Sequence, residues 1–228
     1  MVKQAVCELV EIHLVNGLTG GRILCPSEMI PSPGQYLLAH DPASDALLPV
    51  PIFQAGSIPH GFIIAPPIPE AWKPETRLSL RGPLGHGFDL PASARHVALV
   101  AVDGNPYRLL PLLELALTNK AAVTLLSYTV PASLPAEVEV QPVTVLPEAA
   151  DWADYLAIDV VRESLPVLWK LIGEGEQVWT LKDAQGLVLT PVPCGGMAAC
   201  GVCAVNTRRG WKMACKDGPV FRLRDLRG

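Results

Sequence analysis

Four of the six cysteines fall within 22 residues, in CGGMAACGVCAVNTRRGWKMAC, with the spacing C-x5-C-x2-C-x11-C. A loop carrying Cys194, Cys200, Cys203 and Cys215 so close together is hard to explain as ordinary buried thiols, which occur singly. The residues between the first three are mostly small (Gly195, Gly196, Ala198, Ala199, Gly201, Val202). Small side chains let backbone N–H groups approach sulfur. Plant-type [2Fe–2S] sites use C-x4-C-x2-C with a distant fourth cysteine, so this pattern points to such a cluster with these four residues as its ligands. Structural zinc is the alternative, since it also takes four thiolates; zinc modules usually pair two C-x2-C knuckles, and here there is one. Cys7 and Cys25 lie far off on strand-like segments and read as small core residues.

The rest of the chain is built to fold around a core. Half of the 228 residues are hydrophobic and 18% are charged, which excludes a disordered chain. The 23 prolines and 19 glycines, with 6% aromatics, favour many short elements over a helical bundle. A net charge of -4 gives no bulk attraction for nucleic acid, although Arg208 to Gly228 carries seven cations and two anions, or +5. Residues 46–69 lack charge but hold six prolines, so no segment is expected to span a membrane. The N-terminus, MVKQAVCELVEIHLV, alternates and lacks the apolar stretch of a signal peptide. A cytoplasmic setting is expected, where thiols stay reduced and clustered cysteines hold metal.

Three patterns follow one another. Residues 1–92 read as short strands between turns: VCELVEIHLV, ending at Asn16-Gly17 and broken again at Gly20-Gly21, then segments near 35–40, 50–54, 62–65 and 77–80. That spacing predicts a small antiparallel barrel. HVALVAV (96–102) and AAVTLLSY (121–128) are buried strands flanking a helix that Pro106 can open, which makes a βαβ unit with a parallel sheet. DYLAIDV and a helical stretch to Leu171 continue this α/β domain over 93–175, until Gly173 and Gly175. Residues 176–228 read as a hairpin (QVWTLKDAQGLVLT) followed by the cysteine module.

At this level the chain resembles the electron-transfer subunit of the NAD-linked dihydroorotate dehydrogenase, within the ferredoxin-reductase-like flavoproteins. PGQYL (33–37) resembles a barrel motif, RGPLGHGFDL (81–90) is similar to the family's GPLG-x-GF loop, and Cys194 through CKDGPVF (215–221) resembles its iron–sulfur domain. The resemblance implies a flavin-binding-like barrel, a nucleotide-binding-like α/β domain and a C-terminal [2Fe–2S] domain. It also implies FAD contacts at Pro51, Gly82, Pro83, Leu84, Gly85 and Gly87. The implied partner is a catalytic flavin dehydrogenase subunit, with electrons from dihydroorotate relayed through the cluster towards flavin and NAD. No substrate chemistry of its own is implied. The other readings are a reductase that works on its own with FAD, NAD(P)H and the cluster, and a zinc-binding, non-enzymatic structural or regulatory module.

The sequence departs from this family where the nucleotides bind. The flavin motif R-P-x-[ST] is replaced by Val50, Pro51, Ile52 and Phe53, which removes both the pyrophosphate cation and the hydroxyl. The glycine-rich turn after the first α/β strand is replaced by Asp103, Gly104, Asn105, Pro106 and Tyr107, and the later CGP motif is absent. The cluster loop has x5 where the family has x4. The expectation is a subunit that keeps its cluster and binds FAD weakly or not at all.

Overall fold

The computed structural model describes residues 2–132, 134–173 and 183–226. β1 (Lys3–Val15) alternates as its sequence does, with Cys7 and Leu9 buried and Val6 and Glu8 exposed. Asn16 and Gly17, at φ 49° and 77°, turn the chain tightly into β2 (Leu18–Leu24). The break expected at Gly20-Gly21 does not occur, because β2 runs through both residues. A Cβ on Gly21 would come 2.7 Å from Leu9 Cδ1, so glycine here makes room for a neighbour instead of ending a strand.

β3 (Tyr36–His40), β4 (Val50–Ile58), β5 (Gly61–Ile64) and β6 (Arg77–Leu84) complete a closed antiparallel barrel in the order β1-β2-β5-β4-β3-β6. Its interior is filled by Leu9, Ile23, Leu37, Phe62, Ile64, Leu78 and Leu80.

The α/β part begins with β7 (His96–Ala101). One 3-10 turn (Tyr107–Leu109) leads into α1 (Leu110–Thr118), followed by β8 (Ala122–Leu126). Then come β9 (Glu139–Gln141), α2 (Leu146–Trp152), β10 (Tyr155–Val161) and α3 (Leu165–Ile172). After 174–182, where half of the expected hairpin falls outside the described residues, the chain continues as β11 (Ala184–Leu189). The cysteine module contributes β12 (Ala204–Thr207), β13 (Gly210–Met213), the short α4 (Ala214–Asp217) and β14 (Val220–Arg222).

These strands form a sheet in the order β14-β11-β10-β7-β8-β9, parallel except for β14, while β12 and β13 pair alone. Strands β11 and β14, drawn from beyond Gly175, thus extend the α/β sheet. The all-apolar reading of β7 is explained by two covered faces. Val97, Leu99 and Ala101 pack in the cluster that includes α1, and Ala98 and Val100 in the one that includes α2 and α3. This second cluster also takes in Tyr36 and Leu84 of the barrel and Cys203, Val205 and Cys215 of the module. One apolar core therefore joins barrel, sheet and cysteine loop. Among the described residues no helix is long and apolar enough to cross a membrane.

Candidate metal centre and the adjoining cavity

After β11 the chain enters a loop in which Gly195, Gly196, Ala198 and Gly201 all adopt positive φ (65°, 76°, 57° and 73°). Such backbone turns amides inward. The N–H groups of Ala199, Cys200 and Met197 bond the Cys194 sulfur, with the Cys200 thiol beside them. Led by Ala199, they hold the Cys194 thiol down to about 6. The Ala198 N–H bonds the sulfur of Cys215.

Cys203 and Cys215 form the inner pair, 1% and 4% exposed, with sulfurs 3.3 Å apart. Burial, reinforced by Cys203, pushes the Cys215 thiol up to about 12. Cys194 and the exposed Cys200 form the outer pair. The four thus stand as two pairs within one lobe. Among the described residues no three His, Cys, Asp or Glu side chains converge on a single point. The donor set suits a thiolate-bound iron–sulfur centre: four thiols, with main-chain N–H groups already aimed at two sulfurs.

The lobe is tied down from two sides. The Tyr36 hydroxyl, buried in the barrel wall, donates to the Cys215 carbonyl at 3.1 Å. Arg162, at the end of the β10 connection, donates to the carbonyls of Val202 (2.6 Å) and Ala204 (3.2 Å), which bracket Cys203. Tyr36 was within the PGQYL motif, but nothing in the sequence links it to a cysteine 179 positions away. Arg162 carries no sequence signal at all.

The two more specific resemblance motifs meet each other here. In the GPLGHGF loop, the His86 N–H donates to Gly218 O at 2.6 Å and His86 Nδ1 lies 3.1 Å from Asp217 O. Gly85, at φ 75°, leaves no room for a side chain: a Cβ would lie 2.4 Å from Pro219 Cδ. Gln35 Nε2 donates to Gly85 O at 3.1 Å, adding the PGQ segment to the same contact.

A cavity of about 260 Å³ opens between barrel, sheet and module, lined among others by Tyr36, Pro51, Phe53, Arg108, Val188 and Cys215. Of the residues expected to touch a flavin, Pro51 lines it, whereas Gly82, Pro83, Leu84, Gly85 and Gly87 do not. The Phe53 ring projects here, 5.9 Å from that of Tyr36 and tilted by 40°. Arg108 is already engaged by the fully buried Asp159, through bonds of 2.7 and 3.2 Å. Burial pushes the Asp159 carboxyl above its usual range while Arg108 pulls it back.

The turn after β7 is closed by its own contacts. Asp103 accepts from the Val161 N–H at 2.7 Å and from the Ser164 hydroxyl. Asn105 Nδ2 donates to Pro66 O at 2.6 Å, and Asn16 Nδ2 to the Tyr107 hydroxyl at 2.8 Å. A carboxylate and interdomain bonds occupy the position of a phosphate cradle. These residues do not fit a dinucleotide as the cysteine loop fits a cluster.

Barrel, parallel sheet and cysteine loop together make a ferredoxin-reductase-like fold that carries a four-cysteine lobe. More particularly, residues 194–227 match the family described as the iron–sulfur cluster binding domain of dihydroorotate dehydrogenase B. The structure of NADH-dependent reduced ferredoxin–NADP oxidoreductase is similar over 98% of this chain and 90% of its own, with a TM-score of 0.70 and 16% identity. The apo form of the ferredoxin reductase of carbazole 1,9a-dioxygenase gives 0.57 over 77% and 66%, at 14% identity. The flavohem-like FAD/NAD binding domain of a Vibrio cholerae nitric oxide dioxygenase gives 0.54 over 83% and 100%, at 15% identity. At such identities the likeness is one of fold. No protein of curated function matches the sequence.

Proposed function

We propose that this chain is an electron-transfer subunit that holds a [2Fe–2S] cluster on Cys194, Cys200, Cys203 and Cys215. The observation that carries the reading is the amide-lined four-cysteine loop lying within the segment that matches the cluster-binding family. Bound there, the cluster would supply one-electron transfer to or from the two-electron flavin of a partner. Cys203 and Cys215, the buried pair next to Tyr36, would hold it on the inner side of the lobe. Cys200, with the exposed Met197 and Val202, forms the outer rim that is open to a partner. The N–H groups of residues 197–200 favour the thiolate forms and lower the charge cost of a negatively charged centre.

The partner is a catalytic flavin subunit like that of dihydroorotate dehydrogenase, and dihydroorotate oxidation in the cytoplasm, within pyrimidine synthesis, is the favoured parent reaction. FAD binds weakly or not at all, because Val50 supplies no cation, Phe53 supplies no hydroxyl and Arg108 is committed to Asp159. Anaerobic purification, an absorption spectrum and assays of iron, sulfide, zinc and flavin test the proposal. About two irons and two sulfides per chain without flavin are expected. Zinc in a colourless protein would overturn the cluster, and stoichiometric FAD would overturn the flavin-poor reading.

A further inference from the structure

The two cysteines outside the module are not isolated in the barrel core. β1 pairs with β2 through Leu9 opposite Ile23 and Glu8 opposite Leu24, and carrying that register one step past the end of β2 faces Cys7 with Cys25. Both are buried, at 4% and 8% exposure, and each thiol lies close enough to shift the ionisation of the other. They pack in the barrel cluster with Leu9, Ile23 and Met29, whereas Cys203 and Cys215 belong to the other core.

Directly opposed residues of antiparallel strands have Cα atoms about 4.5–5.5 Å apart, within the range of about 4.4–6.8 Å that a disulfide bridges. A cavity of about 430 Å³ lies beside this end of the strand pair, lined by Ala5, Pro26 and Met29 but by neither thiol, so a reagent reaches the pair when the strand end opens locally. We propose that Cys7 and Cys25 are a redox modification site, oxidised to an intramolecular disulfide by a small-molecule disulfide. Two S–H bonds break and one S–S bond forms. The two electrons and two protons pass to the reagent, whose own S–S bond is cleaved to release two thiols. Thiol–disulfide exchange runs in both directions, so a dithiol reductant reverses the modification.

The test uses the protein as purified, with its metal. After incubation with oxidised glutathione it is denatured in acid, alkylated, digested and mapped by mass spectrometry. The expected result is a cross-linked pair of peptides joining Cys7 to Cys25, a loss of two of the six titratable thiols, and recovery of both with dithiothreitol. The same cross-link in the Cys200→Ser variant shows that it does not depend on the module. Glutathione attached singly to Cys7 or Cys25, oxidation confined to residues 194–215, or six thiols retained after prolonged exposure would each overturn the proposal. None of these outcomes depends on whether the module holds iron or zinc.

Discussion

The Tyr36 hydroxyl and the Cys215 carbonyl, 179 positions apart in sequence, meet in a buried hydrogen bond of 3.1 Å. Through it the barrel wall grips the helix turn that carries the last cysteine. Replacing Tyr36 by Phe leaves that carbonyl without its donor in an apolar setting. The expected loss is about 1–3 kcal/mol, read as a lower urea midpoint with an unchanged far-ultraviolet spectrum, together with faster loss of metal to a chelator. An unchanged midpoint and an unchanged chelation rate would count against this role.

Arg162 acts on the same lobe from the sheet, through the carbonyls of Val202 and Ala204. Its side chain is 31% exposed, so solvent tempers the effect. Arg162→Ala should cost about 1–2 kcal/mol and speed amide exchange around Cys203, while β7 and β10 keep their protection. Arg162→Lys keeps the charge but lacks the fork, and should fall between the two. Uniform protection across all three proteins would refute the assignment.

The Arg108–Asp159 pair is buried beside the cavity. Arg108→Met strands a carboxylate inside the protein, at an expected cost of about 3–5 kcal/mol in chemical denaturation. The double variant Arg108→Met, Asp159→Leu should recover most of that loss, because no uncompensated charge remains. If the double variant is as unstable as the single one, the pair matters through packing and not through charge.

Asp154 accepts the N–H groups of Arg95 (2.9 Å) and His96 (3.0 Å) at the start of β7. These bonds, that from Arg95 foremost, hold its carboxyl below the ordinary range. With the folded-state pKa below the unfolded one, the stabilisation is complete above the unfolded value and is lost as pH falls through the folded value. Asp154→Asn should therefore melt below the parent at about pH 7, by less than about 1 kcal/mol for so exposed a group, and the gap should close towards about pH 3. A gap that persists in acid would contradict the sign.

Much of this architecture was legible in the residues, and the places where it was not have physical causes. The period of two in β1 and the unbroken apolar run of β7 report directly on one covered face and two. Gly20-Gly21 misled because glycine marks both turns and tight cross-strand packing, and only the position of Leu9 distinguishes them. β9 and α2 passed unnoticed, since a three-residue edge strand and LPEAADW carry too little periodicity. The four cysteines stand out by their spacing alone, and they fall within the segment that matches the cluster-binding family. The residues that brace them, Tyr36 and Arg162, belong to other parts of the chain, and no local pattern can show such a contact. That β14 closes the sheet beside β11 was equally hidden, because three residues after a cysteine read as a loop.

This last pairing governs what happens when the centre is empty. The stretch 190–219 leaves from β11 and returns in β14, its hydrogen-bonded neighbour, so both ends of the loop are held by the sheet whatever its thiols bind. Closing such a loop costs entropy that the sheet has already offset. Loss of a cluster bound there would then be a local event that loosens the tip and spares the scaffold. A chain stripped by oxidants would remain a template for reassembly and need not be degraded and made anew.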